Sequence, residues 1–417
     1  MLLSAALLVF LPSTQSSAAD WPQYNGPDSR RAVAVEPQTS LVSKGGPEVI
    51  WRARLEAGFS SFVVSGGRAY TIDRRRVGGT ASEACVAFDA ATGKEIWQTG
   101  LSSGEYDGGG DAGASDNRGG DGPRSTPSVA DGRIHVYDAE MMLHAIDAKT
   151  GKTVWRVDVQ ARHGGRPIRW QNASSPLVDD GRVYVAGGGA GMSLLAFDAD
   201  SGDLVWAVGD ERMTHATPVT AEIDGERQVI FYVQSGLVAV DPKTGAERWR
   251  IGFPYRTSSA ASPVVHGDVV YVSAGYGVGG AAIQVRREGD SFTPEFLWHQ
   301  RNRLMNHWST PVAKDGHLYG MYGFKKYGEA PLACVELATG EIKWQKEGFG
   351  PGNVILVGEH LVALGDAGQL VVADATPAAY RERARVDVLG GKCWSSPAYA
   401  GGRVYVRSTE EGACIEL

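Results

Sequence analysis

The chain contains little cysteine and no clustered charge. Only 4 of its 417 residues are cysteines, and no two of them are adjacent. The net charge is −7, with 41 basic and 48 acidic residues, and no long run of one sign occurs. A nucleic-acid-binding protein needs a basic face, so the composition argues against a nucleic-acid partner.

Long apolar runs are also missing after the first residues. No later segment reaches the ~18 consecutive apolar residues of a membrane-spanning helix, so we expect no transmembrane anchor. Residues 1–10 form a short apolar run, followed by small residues up to Ala19. This pattern predicts a signal peptide, residues 1–19, cleaved before Asp20. The run lacks a preceding Lys or Arg, so a buried strand or a misassigned start codon is the alternative.

The same N-terminal region lacks the cysteine that carries the lipid of bacterial lipoproteins. The sequence therefore predicts a periplasmic or secreted protein without a lipid anchor. Glycine, by contrast, is abundant, with 55 residues, roughly twice the usual ~7%. Glycine is costly in helices, which excludes a helical bundle, and 11 tryptophans with 43% hydrophobic residues argue against disorder. A turn-rich β fold remains.

An internal repeat defines that fold. Five segments share alternating apolar residues, usually an Asp, then Thr or Ser, Gly, and a Trp at fixed spacing; they are residues 86–97, 144–155, 195–206, 238–249 and 333–344. The alternation predicts a half-buried strand. The Asp-x-x-Thr-Gly segment predicts a tight turn in which Gly takes a positive φ and Asp bonds backbone N–H groups. Each repeat is therefore a β-hairpin.

A second motif, such as Ser-Ser-Pro followed by a strand, a Gly turn and another strand at residues 174–185, precedes each hairpin. Together the two motifs give a unit of four antiparallel strands, which we name A to D, with Trp on strand D. Eight A-strand motifs can be counted. Units of this size predict an all-β, eight-bladed propeller.

The two ends of the predicted propeller complement each other. Trp51 lies on a D strand with no A, B or C strand before it, whereas residues 413–417 form a C strand with no D strand after it. We therefore expect the N-terminal strand to complete the eighth blade and close the ring, which removes exposed sheet edges. The predicted organisation is a leader at residues 20–46 and a propeller at residues 47–417.

These residues carry a family resemblance. The Asp-x-x-Thr-Gly-x-x-x-Trp hairpin resembles the tryptophan-docking motif of quinoprotein β-propellers, and residues 20–27, DWPQYNGP, are similar to the opening of exported PQQ-like propeller repeat proteins. Many of those proteins are described by likeness to the outer-membrane assembly factor BamB. The resemblance implies an eight-bladed periplasmic propeller that binds an undefined ligand.

The resemblance also implies an alternative activity. Quinoprotein dehydrogenases oxidise alcohols or sugars with PQQ and Ca²⁺, beside two adjacent cysteines and a catalytic Asp. The four cysteines here are Cys85, Cys334, Cys393 and Cys414, none adjacent, and no catalytic residue or Ca²⁺ site can be assigned by motif. We expect buried thiols, with Cys393 the one that solvent reaches. The favoured function is a non-catalytic scaffold, with a PQQ-dependent dehydrogenase as the alternative.

Polar residues precede several A strands, where the loops of a propeller converge at one end of the central channel. The predicted ligand-binding residues of this rim are Arg124, Asn172, His215, Asn306, His307, Lys392 and Trp394. Such a ring suits an anionic or carbohydrate-like ligand through charge-assisted hydrogen bonds. The alternative, that each residue caps its own turn or binds channel water, is equally compatible with the sequence.

The insert at residues 104–122 is rich in Gly and Asp. Asp107, Asp111, Asp116 and Asp121 offer oxygen ligands of the kind that Ca²⁺ prefers, although the spacing is not that of an EF-hand. A flexible loop is the alternative interpretation. The expected partners are a small molecule or a periplasmic protein, and we expect a monomer.

Overall fold

The computed structural model describes residues 20–35, 41–104, 122–168, 170–323 and 329–417. These residues form eight sheets, each with an antiparallel four-stranded core, which confirms the predicted all-β, eight-bladed propeller. The one helix among them, α1 (Val159–His163), has five residues, and none of the described helices is long and apolar enough to cross a membrane.

Strands follow each other from A to D within the first six blades. The first three blades contain β3 (Val63–Ser65), β4 (Arg68–Val77), β5 (Thr80–Asp89), β6 (Glu95–Gly100), β7 (Ser128–Ala130), β8 (Arg133–Tyr137), β9 (Met142–Asp147), β10 (Thr153–Asp158), β11 (Leu177–Asp179), β12 (Arg182–Gly189), β13 (Met192–Asp198) and β14 (Leu204–Val208). The next three contain β15 (Val219–Ile223), β16 (Glu226–Val233), β17 (Gly236–Val240), β18 (Glu247–Gly252), β19 (Val264–His266), β20 (Val269–Ala274), β21 (Gly279–Glu288), β22 (Ser291–Gln300), β23 (Val312–Lys314), β24 (His317–Met321), β25 (Leu332–Glu336) and β26 (Ile342–Lys346).

The last two blades each include a strand from the N-terminal region. Blade seven contains β27 (Asn353–Val357), β28 (His360–Leu364), β29 (Gln369–Asp374) and β30 (Glu382–Asp387), with β1 (Ala32–Val33) added parallel to β27. Blade eight contains β31 (Ala398–Ala400), β32 (Arg403–Arg407), β33 (Glu411–Glu416) and β2 (Glu48–Arg54). The pairing of β2 with β33 confirms that the N-terminal strand closes the ring.

The repeated hairpin has the predicted chemistry. The Asp89 carboxylate accepts hydrogen bonds from the backbone N–H of Ala91 and from both the N–H and the hydroxyl of Thr92. These bonds lower the pKa of Asp89, the hydroxyl contributing most. Gly93 then takes φ of 71°, the left-handed value that the turn requires.

Each blade also contains an irregularity that the sequence repeat does not predict. The C–D ladder shifts register in all eight blades, as between Ala87 and Phe88 in blade one. A β-bulge re-aims the side chain beside it. In blade one that side chain is Trp97, which lies opposite Ala87.

The re-aimed tryptophans join consecutive blades. The indole Nε1–H of Trp97 donates to Ala148 O of blade two at 3.3 Å, and a Cβ added to Gly151 would lie 2.7 Å from the Trp97 ring. Trp155 and Trp206 make the corresponding bonds to the blades that follow. The repeat tryptophans are therefore packing residues between blades.

The leader is bound inside the ring. Its residues accept hydrogen bonds from backbone N–H groups on the inner strands of five blades, at Val64, Val129, Val178, Thr220 and Leu356. Strand A is innermost, because A strands of neighbouring blades contact one another. The leader therefore pairs polar edges that would otherwise face an open channel, and it closes that channel.

Arg31 fixes the middle of the leader. This side chain is 1% exposed, and its guanidinium donates to Asn25 Oδ1 at 3.3 Å and to Val354 O at 3.2 Å. Burial lowers its pKa. The guanidinium also lies 5.2 Å from the centre of the Tyr24 ring. Arg31 thus ties the leader to blade seven and holds Tyr24 in place.

The four cysteines are free and buried. Burial raises the pKa of the Cys393 thiol most, and the negative charge of Asp366 raises that pKa further. Cys393 is 0% exposed, so the expectation that solvent reaches it is wrong: the loop before β31 folds its sulfur into the core shared with the leader.

Candidate functional site

A cavity opens at the end of the channel where the A strands begin. We call it the cup. Its volume is about 180 Å³, below the ~300–1,000 Å³ of sites for drug-sized ligands, so it suits one small molecule. Tyr24 of the leader lines it, so the cup is blocked on the leader side.

Two kinds of side chain line the cup. The aromatic ones are Tyr24, Phe59, Trp170, Tyr276, Trp308 and Trp394. The polar ones are Arg124, Ser175, His215, Thr217, Ser258 and His307, with Ala173 and Ala260 between them. Most stand on the loops that precede A strands, because those loops converge on the channel axis. Among the described residues, no aspartate or glutamate lines the cup.

An aromatic wall, formed by Phe59, Trp308 and Trp394, covers one side. The ring centroids of Phe59 and Trp394 lie 5.1 Å apart with planes 24° apart, and those of Trp308 and Trp394 lie 4.4 Å apart. Trp308 Nε1–H donates to Pro351 O at 2.7 Å. The Trp394 Nε1–H is buried and has no hydrogen-bond partner among the described residues.

Arg124 and His215 form a polar wall. Arg124 Nη1 donates to Trp170 O at 3.0 Å, and His215 Nε2 lies 2.8 Å from Gln171 O, to which it donates. Trp170 and Gln171 have φ of 72° and 63°. Two consecutive left-handed residues without glycine are unusual, and such strain clusters at ligand-binding sites. The kink directs consecutive carbonyls at Arg124 and His215 and fixes both side chains.

His215 is neutral at pH 7. Burial lowers the pKa of His215 to about 4, and the positive charge of Arg124 acts in the same direction, while the bond to Gln171 O opposes them. Because Nε2 carries the donated proton, Nδ1 is a hydrogen-bond acceptor. The polar wall therefore presents one permanent cation and one neutral imidazole.

This burial makes stability depend on pH. A histidine with pKa about 4 in the folded state and ~6.5 in the unfolded chain binds more protons when unfolded, so stability falls as pH decreases from 6.5 to 4. We expect His215 to contribute a loss of about 2 kcal/mol between pH 7 and pH 5. Burial also lowers the pKa of His135 to about 4, and the same loss is expected there.

Urea unfolding at pH 7 and pH 5 checks this expectation. The variants H215Q and H135Q should each reduce the difference in free energy of unfolding between the two pH values by about 2 kcal/mol. H317Q is the control, because His317 is half-exposed. An unchanged pH dependence in H215Q would show that the imidazole is not buried as described.

Hydroxyl groups connect neighbouring blades under the rim. Ser61 N–H donates to Thr126 Oγ1 at 2.9 Å, Thr126 N–H to Ser175 Oγ at 2.9 Å, and Ser175 N–H to Thr217 Oγ1 at 3.0 Å. Because each hydroxyl oxygen accepts a backbone N–H, its own proton is left to donate. Ser175 and Thr217 line the cup, where they add two hydroxyl donors.

In the structure, the predicted rim residues lie in three kinds of position relative to the cup. Arg124, His215, His307 and Trp394 line the cup together. Lys392 is buried beside it, with Nζ 4.4 Å from the centre of the Trp394 ring. The two asparagines lie outside the lining.

Both asparagines bind backbone instead. Asn172 donates through Nδ2 to Tyr137 O at 2.9 Å, and Asn306 Nδ2 donates to Met321 O at 2.8 Å. Both are buried, and both hold their own loops in place. This agrees with the alternative interpretation of the rim, in which such residues cap their own turns. Ligand binding by any rim residue stays a prediction.

Sequence reasoning missed much of the aromatic lining. Trp308 directly follows His307 at an A-strand start, which was a usable signal. No sequence signal identified Phe59 or Tyr276 as lining residues. Phe59 belongs to a degenerate A-strand motif, and Tyr276 lies in a loop between strands B and C. Tyr24 could not be placed without knowing that the leader enters the ring.

The predicted calcium residues Asp107, Asp111, Asp116 and Asp121 lie outside the described residues. Within the described residues, no group of three or more His, Cys, Asp or Glu side chains could hold a metal ion. PQQ with Ca²⁺ needs carboxylate ligands and a carboxylate base, and the described lining has none. These residues therefore do not fit that cofactor pair.

Sequence comparison agrees with the propeller architecture. The family described as outer membrane protein assembly factor BamB matches residues 29–109 and 81–346, which is more than half of the chain. The chain belongs to this BamB-type family. The predicted resemblance to PQQ-like propellers is thereby confirmed.

Individual members of the group are distant. BamB of Moranella endobia (strain PCIT) is 25% identical over 263 residues, covering 59% of this chain and 63% of that protein. The structure of BamB from Moraxella catarrhalis superimposes with a TM-score of 0.61 at 15% identity, covering 89% of this chain and 98% of that one.

A quinoprotein is equally similar in fold. The structure of the quinohemoprotein alcohol dehydrogenase ADHIIG from Pseudomonas putida HK5 gives a TM-score of 0.63 at 14% identity, covering 96% of this chain and 80% of that one. At these identities the likeness shows the fold alone. The chain spans less than two thirds of the length of the curated relatives that it matches.

Proposed function

We propose that this protein is a non-catalytic binding protein whose cup holds a small molecule. One observation carries the proposal: the described residues line a cavity, which Tyr24 of the leader blocks on one side, with aromatic rings, hydroxyls, imidazoles and the guanidinium of Arg124. Aromatic surface combined with a few convergent polar groups is typical of a small-molecule site.

The position of the leader favours binding of a ligand in the cup over passage of a molecule through the channel. Trp21 and the residues after it bond to successive inner strands, so a ligand that enters the cup meets Tyr24 and leaves by the same mouth. Fixed aromatic and cationic groups around a cavity closed on one side are a preorganised site, which reduces the entropy that binding costs.

The dehydrogenase alternative has less support. General-base catalysis of alcohol oxidation needs a titratable acceptor near the substrate, and the described lining offers only histidines, of which His215 is held by Gln171 O. The name BamB states a role in protein assembly for the relatives, and the cup, which is the size of a small molecule, does not itself argue for such a role. We also propose export through residues 1–19, on the signal-peptide pattern alone.

Filling the cup tests the proposed function. The variant A173W places an indole in the cavity without removing any polar group that lines it, and A161W is the control, because Ala161 is exposed on α1. Wild type and A161W should gain melting temperature with at least one member of a panel of small carboxylates, phosphates and sugars, and A173W should not.

Calorimetry completes the test by giving the stoichiometry, which should be one molecule per chain. If no member of the panel binds, or if A173W binds as wild type does, the cup is not the binding site. Dye-linked oxidation of alcohols or sugars after addition of PQQ and Ca²⁺ would instead favour the dehydrogenase.

A further inference from the structure

We propose that the end of the propeller that carries the cup also binds an acidic, extended segment of a partner protein. The contact surface is a band of arginines on the four consecutive loops that join blades two to six. We call this band the arginine arc, and its members are Arg162, Arg166, Arg212, Arg256, Arg301 and Arg303. None of these six described residues lines the cup. The arc is therefore a second site, independent of the proposed function.

The first three loops of the arc are joined to one another. Arg166 O and Met213 N lie 2.8 and 3.2 Å from the point where a Cβ on Gly188 would stand. Because Met213 directly follows the arginine of the second loop, the first two loops pass side by side. The Tyr255 hydroxyl donates to Met213 O at 2.7 Å, which brings the loop of Arg256 alongside. The arginines of these loops therefore belong to one surface.

The fourth loop continues the band. Ala260 N–H donates to His307 O at 2.8 Å, which joins the third loop to the fourth. Within the fourth loop, Arg303 O accepts a bond from Gly280 N–H at 3.0 Å, which fixes the backbone on blade five. The arc is thus an elongated band along one side of the rim, and its backbone is held by hydrogen bonds.

Acidic residues are scarce around the arc. Its four loops are residues 159–176, 209–218, 253–263 and 301–311. Only two residues in these loops are acidic, Asp210 and Glu211. Glu211 pairs with Arg250 of β18 at 3.3 Å, and Asp210 accepts a bond from Gly191 N–H at 2.7 Å. Both carboxylates are therefore engaged with groups outside the arc.

The arginines of the arc have no ionic partner of their own. Each of the six is exposed, and none forms a salt bridge with another described residue. At the opposite end of the blades, by contrast, the exposed side chains of Arg227 and Arg383 pair with Asp179 and Asp374. Unpaired cations gathered on a chain of net charge −7 attract a negatively charged partner and speed its approach.

The cations of the arc are all arginines, and its four loops contain no lysine. A planar guanidinium matches a carboxylate through two parallel hydrogen bonds, whereas the ammonium of lysine acts as a point charge. An elongated row of guanidinium groups suits several carboxylates spaced along a chain, as aspartate and glutamate are in an extended peptide. Arginine clusters are one of the recurring ways in which proteins recognise acidic motifs.

Two other polyanions fit the arc less well. A membrane-binding surface combines cations with exposed apolar side chains, and none of the large hydrophobic side chains exposed in the described part of the chain lies in the four loops. For an acidic polysaccharide, the aromatic side chains on which sugar rings stack belong to the cup. Exposed guanidinium groups without a salt bridge can instead adjust to a flexible peptide.

Fluorescence anisotropy with designed peptides tests the assignment. The probe is a labelled peptide of alternating glutamate and glycine, and the same peptide with glutamine is its neutral control. We expect wild type to bind the glutamate peptide at least about tenfold more tightly, because the neutral peptide loses its charge-assisted bonds. The triple variant R212Q/R256Q/R303Q should lose about tenfold in affinity for the glutamate peptide, since each exposed ion pair contributes only a few-fold.

A matched control removes the same number of positive charges elsewhere. In K94Q/K149Q/K243Q the three lysines are exposed and lie in turns at the opposite end of the blades, so this variant should bind the glutamate peptide as wild type does. Any small molecule that raises the melting temperature of wild type should do so equally in the triple arginine variant, because the lining of the cup is unchanged.

Four results would overturn the proposal. The first is equal binding of both peptides, or binding of neither, by wild type. The second is unchanged binding by the triple arginine variant, or by R162Q/R166Q/R301Q if the first variant does not fold. The third is tighter binding of dextran sulfate, or of vesicles of phosphatidylglycerol and phosphatidylcholine in equal parts, which would assign the arc to a polysaccharide or a membrane. The fourth is self-association of wild type that the triple arginine variant abolishes, which would assign the arc to a second copy of this chain.

Discussion

Replacing Trp51 by alanine is expected to lower the free energy of unfolding by about 3–5 kcal/mol, as for other buried aromatic side chains. Trp51 lies on β2, and its Nε1–H donates to Ala90 O of blade one at 2.9 Å. It packs against Phe62 and Tyr405. The substitution therefore removes a contact between blades eight and one and weakens the packing of β2 on Tyr405 within blade eight, where β2 pairs with β33 to close the ring without a covalent link. Urea unfolding monitored by far-ultraviolet circular dichroism measures the change.

W344A is the matched control. Trp344 has the equivalent place in blade six and bonds to Thr376 O at 2.8 Å, but it is only partly buried and faces a turn that has lost its glycine. We expect a smaller loss there. If W51A costs no more than W344A, the closing contact does not have the importance assigned to it.

The glycine under Trp51 gives the second large effect. A Cβ at Gly93 would lie 2.6 Å from the Trp51 ring, and the residue has φ of 71°. G93A should therefore combine the left-handed penalty of ~1–2 kcal/mol with a clash of ~1–3 kcal/mol. The expected loss of unfolding free energy is about 2–5 kcal/mol.

A double-mutant cycle isolates the clash. In the W51A background, G93A should cost only the left-handed penalty of ~1–2 kcal/mol, because the ring it would strike is gone. G132A is the control, since Gly132 has φ of 73° and nothing within 4 Å of an added Cβ. Additive effects of W51A and G93A would contradict the described contact.

The ring could be predicted because its signals are local. The turn of each hairpin is encoded by residues such as Asp89 and Gly93 within one short segment, and each Trp marks an outer strand at fixed spacing. Closure by β2 followed from counting, since one D strand lacked a blade and one blade lacked a D strand. These inferences needed no knowledge of distant contacts.

The leader could not be placed in the same way. Asn25 donates to Ser262 Oγ across 237 residues of sequence, and Arg31 reaches Val354 across 323. No periodicity encodes such pairs. The bulge before each Trp was also invisible, because it shows only in how strands C and D align.

The candidate site was partly predictable for the same reason. Residues that directly precede A strands, such as Arg124 and His215, had a position in the repeat and could be assigned to the rim. Position did not tell which of them face the cavity, because Asn172 has the same place and bonds to backbone. Tyr24 depends on the path of the leader.

The most direct test of the cup is a titration of ¹⁵N-labelled protein with the member of the carboxylate, phosphate and sugar panel that raises its melting temperature most, followed through the indole N–H resonances. Trp394, whose buried Nε1–H has no partner among the described residues, should shift most. Trp97 and Trp155, which bond to neighbouring blades, should not move. Shifts confined to Trp394 and Trp308 are the predicted result. Unchanged cup tryptophans, or equal shifts in the blade tryptophans, would contradict it.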